Sequence, residues 1–146
     1  FTTVSGAVAL KDGLLGGKQI LILANIGLDE LAECVVMNGG VLDGRRYLSA
    51  ETCRLFITTT STFSRRGLGF DRPDTAIVKR SPCAPSAPAS VYGHTGFTGT
   101  CVWVDPDNKL VYVFLSNKLC PNVWNTKLGD MNLRRDIQEH IYRSLF

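Results

Sequence analysis

The sequence predicts an α+β fold, an antiparallel sheet with helices packed against it. Two observations carry that prediction. Thr100-Cys101-Val102-Trp103-Val104 and Leu110-Val111-Tyr112-Val113-Phe114-Leu115 are β-branched and aromatic runs. They are joined by Asp105-Pro106-Asp107-Asn108-Lys109, a turn composition with proline preset for the first corner. They form a hairpin, and the second run, apolar on both faces, has to be a central strand covered on each side. Downstream, Leu133, Ile137, Ile141 and Leu145 recur every four residues behind Asn132 as a cap, with Arg134, Arg135, Gln138 and Glu139 on the opposite face. That apolar stripe needs a partner, and the sheet supplies it.

The remaining elements are read in chain order. Residues 1 to 24 mix glycines with apolar runs, and neither a period of 2 nor one of 3.6 wins, so this stretch stays unassigned; within it, Ile20-Leu21-Ile22-Leu23-Ala24 reads as a buried strand or short helix. Leu28, Leu31, Ala32, Val35 and Val36 then fall on one helical face, with Asp29, Glu30 and Glu33 early, where the helix dipole favours acids. Asn38-Gly39-Gly40 stops that helix and Asp43-Gly44 makes a turn. Ser49 caps a second, shorter helix with Glu51 in its first turn and Leu55 and Phe56 as its apolar contacts. Residues 71 to 90 hold Pro73, Pro82, Pro85 and Pro88 and no apolar period, which reads as a long loop or lid.

Composition bounds the function. One domain spanning residues 1–146 is expected, since 146 residues with 45% hydrophobic content can build a core unaided. A net charge of +3 from scattered residues implies no nucleic acid, and no apolar run approaches the roughly 20 residues of a membrane helix. The opening at Phe1 shows neither an initiator Met nor a signal peptide and reads as an interior cut or processed end. Cys34, Cys53, Cys83, Cys101 and Cys120 match no zinc spacing and read mostly as small core residues. His94 and His140 form no metal motif, and Gly17-Lys18 fails as a phosphate loop because Asp12 and Gln19 stand where glycine and Ser or Thr are needed. No cofactor and no metal are expected.

The chemistry concentrates in Tyr92-Gly93-His94-Thr95-Gly96-Phe97-Thr98-Gly99-Thr100, which leads into the hairpin. Glycine weakens a strand and marks a bulge or a close approach to the backbone, so three of them at a spacing of three suggest that a ligand comes up against this strand. An edge strand with free backbone N–H groups beside His94 and Thr95 can bind a carboxylate and a carbonyl. A bulged strand with a surface histidine fits the same residues.

The segment from Gly93 to Thr100, with the following strands ending Phe114-Leu115-Ser116-Asn117, resembles the third conserved box and its neighbouring strands in the serine β-lactamase, D-alanyl-D-alanine peptidase and esterase superfamily. That box is Lys-Thr-Gly or His-Thr-Gly. Met37-Asn38-Gly39-Gly40-Val41-Leu42-Asp43-Gly44 with Leu48-Ser49-Ala50-Glu51-Thr52 is similar to the stretch after the helical subdomain, and Arg66-Gly67-Leu68-Gly69-Phe70 to the strand before the box. The resemblance covers residues 28 to 146, the C-terminal part of the fold. It implies that His94 and Thr95 bind a substrate carboxylate and that Gly96 lets substrate approach. The Phe97 backbone N–H would be one of two oxyanion donors, so that Phe97 and His94 are the catalytic candidates. With histidine in place of lysine, carboxylate binding would weaken or depend on pH. A periplasmic or extracellular location follows from the same resemblance.

The departures matter as much. No serine has lysine three residues later, no Tyr-x-Asn or Ser-x-Asn triplet is present, and a Gly-x-Ser-x-Gly elbow is missing too. The expectation is a C-terminal fragment of a serine hydrolase acting on esters, amides or β-lactams, inactive alone. Its partners would be a small-molecule or peptide carboxylate and a missing N-terminal half or another chain. The alternative is a non-catalytic peptide-binding or interaction domain of the same fold. In the full fold two N-terminal strands flank the last strand, so their absence would leave a sheet edge exposed.

Overall fold

A computed structural model describes residues 7–8, 20–23, 35–58 and 61–145. Its main sheet has five strands in the order β1-β2-β7-β6-β5. These are β1 Ala7–Val8, β2 Ile20–Leu23, β5 Tyr92–Thr95, β6 Cys101–Asp105 and β7 Leu110–Phe114. All ladders are antiparallel except β2 with β7, which run parallel from Ile20 opposite Val111 to Leu23 opposite Phe114. This corrects the expectation of an open edge at β7. An apolar strand needs a neighbour on each side, and the run at 20–23 takes that place as a strand.

The hairpin of β6 and β7 forms where its residue types put it. Its turn is organised by Asp105, which is 2% exposed. Asp105 Oδ1 accepts the N–H groups of Asp107 and Asn108 at 3.0 and 3.1 Å, and Oδ2 accepts Asn108 Nδ2 at 2.8 Å. Strand alternation then sends successive residues of β7 to opposite layers. Val111 and Val113 join Val36, Cys53, Tyr92 and Val104 on one face. Tyr112 joins Cys83, Val91, Cys101 and Trp103 on the other, where Ile137 and Ile141 pack.

Upstream, only the end of the first helix, residues 35 to 37, lies within the described residues; its acidic start and Cys34 lie outside them. Gly39 and Gly40 end it with φ of 62° and 92°. Strands β3 Val41–Leu42 and β4 Arg45–Arg46 form a two-stranded sheet around Asp43-Gly44. Both corner residues have positive φ, 49° and 76°, as a tight hairpin turn requires. Helix α1, Ala50–Ile57, starts where Ser49 accepts Thr52 N–H at 3.0 Å. Its inward residue is Cys53, whereas Leu55 and Phe56 are 44% and 38% exposed, which corrects their assignment as core contacts. The stretch from Arg66 to Phe70 is a tight loop and not a strand: Gly67 N–H reaches back to Phe70 O, and Gly69 and Phe70 both bond Phe56 O at the end of α1.

Helix α2, Lys127–Asp130, and helix α3, Leu133–Leu145, close the chain. Asn132, with φ of 50°, turns between them, and its carbonyl accepts the N–H groups of Arg135 and Asp136. The buried line of α3 is Ile137, Gln138, Ile141 and Tyr142; Leu133 and Leu145 are largely exposed. Gln138, expected on the outer face, is 1% exposed because its Oε1 accepts Ala84 N–H at 2.8 Å. Glu139 beside it accepts Ser86 N–H at 3.0 Å and Ser86 Oγ at 2.9 Å. These bonds strap the proline-rich loop onto α3, with Cys83 and Ala84 buried beneath. The far half of that loop is therefore a packed segment and not a free lid.

Glu139 gives this strap an acid limit. The Ser86 backbone N–H holds its carboxyl below the ordinary value, against a smaller opposing effect of burial. A depressed folded value stabilises the protein above the ordinary carboxylate range and is lost as pH falls through the folded value. Glu139→Gln is expected to lower the urea midpoint at pH 7 and to lower it less at pH 3, nearer the folded carboxyl's depressed value. Equal lowering at both would show that the charge contributes nothing. The described cysteines form no disulfide, and three of the four are buried. Burial first, and then the charge of Asp71, pushes the Cys83 thiol far above its usual range, so it acts as a small apolar residue.

Candidate functional site

Strand β5 is the outer strand of the sheet on the side away from β2. It pairs with β6 from Tyr92 opposite Val104 to Thr95 opposite Cys101. Beyond Thr95 the chain turns back tightly: Gly96 N–H donates to Thr100 O at 2.8 Å and Gly99 N–H to Gly96 O at 3.0 Å. Phe97-Thr98-Gly99 is thus a three-residue loop with a bulge glycine, and Gly99 has the φ of 98° that this loop needs. Phe97 sits at the corner with its side chain 77% exposed and Lys118 Nζ 5.7 Å from its ring centre. Among the described residues, Phe97 N–H donates to no other group.

Two of the three glycines have reasons inside the fold, which corrects the expectation that an approaching ligand accounts for all three. A Cβ on Gly93 would run into Val102 O and lie 2.7 Å from the Trp103 ring. One on Gly99 would lie 2.5 Å from Leu128 and 2.7 Å from Ser116 Oγ. At Gly96 the obstacle is a single small side-chain end, Thr100 Oγ1. Gly96 is thus the exposed glycine of the three, while Gly93 and Gly99 are buried.

On the outer side of β5, Asp71 makes a two-way backbone bridge to Gly93, 2.8 Å and 3.0 Å. Its side chain is 6% exposed and holds two arginines. Arg65 Nη2 donates to Asp71 Oδ2 at 2.8 Å, and Arg66 Nε lies 3.8 Å from the same oxygen. Arg66 then reaches His94, with Nη2 at 2.8 Å from Nε2. A guanidinium has only donors, so Nε2 accepts, and the ring proton sits on Nδ1, which donates to Thr95 O at 2.8 Å. His94, Thr95, Gly96 and Phe97 therefore line the end of one sheet edge, with an arginine laid across the first of them. Arg65 and Asp71 were not singled out in the sequence, and Arg66 entered it only as part of the stretch before the box. Arg66 and His94 are 28 residues apart, and nothing periodic joins them.

A groove of about 410 Å³ opens beside Arg65, between Phe63, Arg72, Asp74 and Ala89. Among the described residues no three of His, Cys, Asp and Glu gather as metal ligands, and no helix is long and apolar enough to cross a membrane.

A helix-packed sheet whose outer strand presents His-Thr-Gly at its end is the arrangement that the resemblance to the serine β-lactamase superfamily implies. The family model described as Beta-lactamase matches residues 28–129, and the chain belongs to that family. Two relatives from Escherichia coli, one from O157:H7 and one from strain K12, are 33% and 32% identical over 97 residues. Each carries the name "Putative D-alanyl-D-alanine carboxypeptidase". The match covers 66% of this chain but 22% of each relative, so the chain spans about a fifth of their length. The family and the α+β fold expected from the resemblance are both borne out.

Proposed function

We propose that this chain supplies the substrate-binding edge and one oxyanion donor of a serine hydrolase that acts on an ester, amide or β-lactam next to a carboxylate. The names of the two relatives suggest acyl-D-alanyl-D-alanine peptides as the substrate class. The observation that carries the reading is the end of the outer strand β5, where a Phe97 N–H with no acceptor among the described residues follows His94, Thr95 and Gly96. In this reading the substrate carboxylate lies against His94 and Thr95, and Gly96 admits the peptide to the strand. A serine attacks the carbonyl, and the Phe97 N–H donates to the oxygen as negative charge collects on it. The leaving group departs to give an acyl-serine, which water then hydrolyses. No Ser-x-x-Lys occurs in the 146 residues, so the attacking serine comes from a polypeptide segment outside them.

The test is to co-express the chain with a segment carrying Ser-x-x-Lys and Tyr-x-Asn and to follow intact mass with a reactive β-lactam. An adduct is expected on the added segment only, with none on this chain alone. Thr95→Val should then lower hydrolysis of the acyl dipeptide about tenfold, in line with the loss of one charge-assisted hydrogen bond, and spare neutral esters. An adduct on a residue of this chain, or equal loss on both substrates, would overturn the assignment.

A further inference from the structure

We infer that Arg66 is the residue by which this edge distinguishes a carboxylate from a neutral group, a role that rests on the carboxylate-binding reading above. His94 cannot offer its Nε2 proton to a substrate in the observed arrangement. That nitrogen is an acceptor for Arg66, and Nδ1–H is committed to Thr95 O. A positive charge at the end of β5 is therefore the Arg66 guanidinium, with the Lys118 ammonium nearby, 5.7 Å from the Phe97 ring centre.

Its donors are placed for the task. Arg66 Nε faces Asp71, and one Nη2 hydrogen is spent on His94. Among the described residues nothing accepts from Nη1, which leaves the Nη1 pair and the second Nη2 hydrogen. Donors on both terminal nitrogens form the fork that meets a carboxylate with two parallel hydrogen bonds. The side chain is 51% exposed, so a ligand can reach it. It is also held from both ends: Asp71 is fixed to β5 through Gly93, and His94 is a residue of β5 itself. A fixed guanidinium loses less freedom on binding than a free one. Asp71 thereby becomes a positioning residue that acts through Arg66.

The experiment uses the 146-residue protein at pH 8, above the ordinary range of an imidazole. Dissociation constants are measured for N-acetyl-D-alanyl-D-alanine and for its C-terminal amide, in which a neutral NH2 replaces one carboxylate oxygen. Ring ¹⁵N spectra of His94 are recorded in parallel. The wild type should bind the acid at least tenfold more tightly than the amide and show His94 protonated on Nδ1. Arg66→Gln should bring the ratio close to one, leave amide binding within twofold, and shift the Nε2 resonance. Arg66→Lys should give an intermediate ratio, because an ammonium keeps the charge but not the fork. A wild-type preference that survives Arg66→Gln would overturn the role of Arg66 and leave the binding reading standing. A wild type that binds neither probe would remove the binding reading and Arg66 with it.

Discussion

Gly93→Ala is expected to cost at least about 3 kcal/mol, the upper end of overpacking penalties, and to detach β5 from the sheet. The added methyl would collide with Val102 O and come within 2.9 Å of Trp103 Cα and 2.7 Å of its ring. Two of these are backbone atoms of the partner strand, so no rotamer change relieves the contact. The same residue bonds Asp71 through both backbone groups. Pushing β5 outward therefore also moves the acid that holds Arg65 and Arg66. Urea unfolding gives the cost, and loss of the His94 ring signature gives the local effect. Gly129→Ala is the control, since nothing lies within 4 Å of its added methyl. A helical glycine exchanged there should gain up to about 1 kcal/mol. A wild-type midpoint for Gly93→Ala would refute the close approach of the two strands.

Asp105→Ala is expected to cost about 4 kcal/mol, since hydrogen bonds to a buried charged group are worth about 1.5–3 kcal/mol each before relaxation. Besides the three bonds that shape the hairpin turn, Asp105 Oδ2 accepts Tyr142 Oη at 2.7 Å from helix α3. The substitution thus loosens the turn and removes the bond that ties Tyr142, a 4% exposed residue of α3, to the hairpin. Tyr142→Phe alone should cost about 1–2 kcal/mol. In a double-mutant cycle the pair should show coupling of at least about 1 kcal/mol, and additive losses would show that helix and hairpin are independent. Burial, and then the bond to Asp105, raises the Tyr142 phenol well above its ordinary range. Its contribution is complete below about pH 10, where an unfolded tyrosine ionises, and declines above it.

What could be read from the sequence was whatever repeats locally. The β6–β7 hairpin was legible because both strands and their turn residues are contiguous, and α1 because Ser49 marks its start. The terminal helix was placed correctly, but its inward face was displaced. Periodicity weighs Leu133 and Leu145 as apolar, whereas Gln138 is buried by a single bond to Ala84, 54 residues away. The glycines drew attention to β5 as an approach for a ligand, whereas the demand at Gly93 comes from β6 and becomes visible only in register. His94 and Thr95 stood out as chemical residues on a glycine-rich strand. Arg66 and Asp71 did not, because arginines and acids are ordinary on a surface and their meaning here lies in a backbone bridge between distant segments.

The sheet order also dictates a sequence of events during folding. Strands β5, β6 and β7 follow one another through short turns, so their ladders close small loops and form early. The parallel ladder of β2 with β7 joins residues about ninety positions apart, and closing so long a loop carries a larger entropic penalty. The three-strand meander therefore waits with the β7 edge uncovered, an apolar template open to a second molecule. Refolding yield should fall as protein concentration rises, and hydrogen exchange should reach full protection in β6 and β7 before β2.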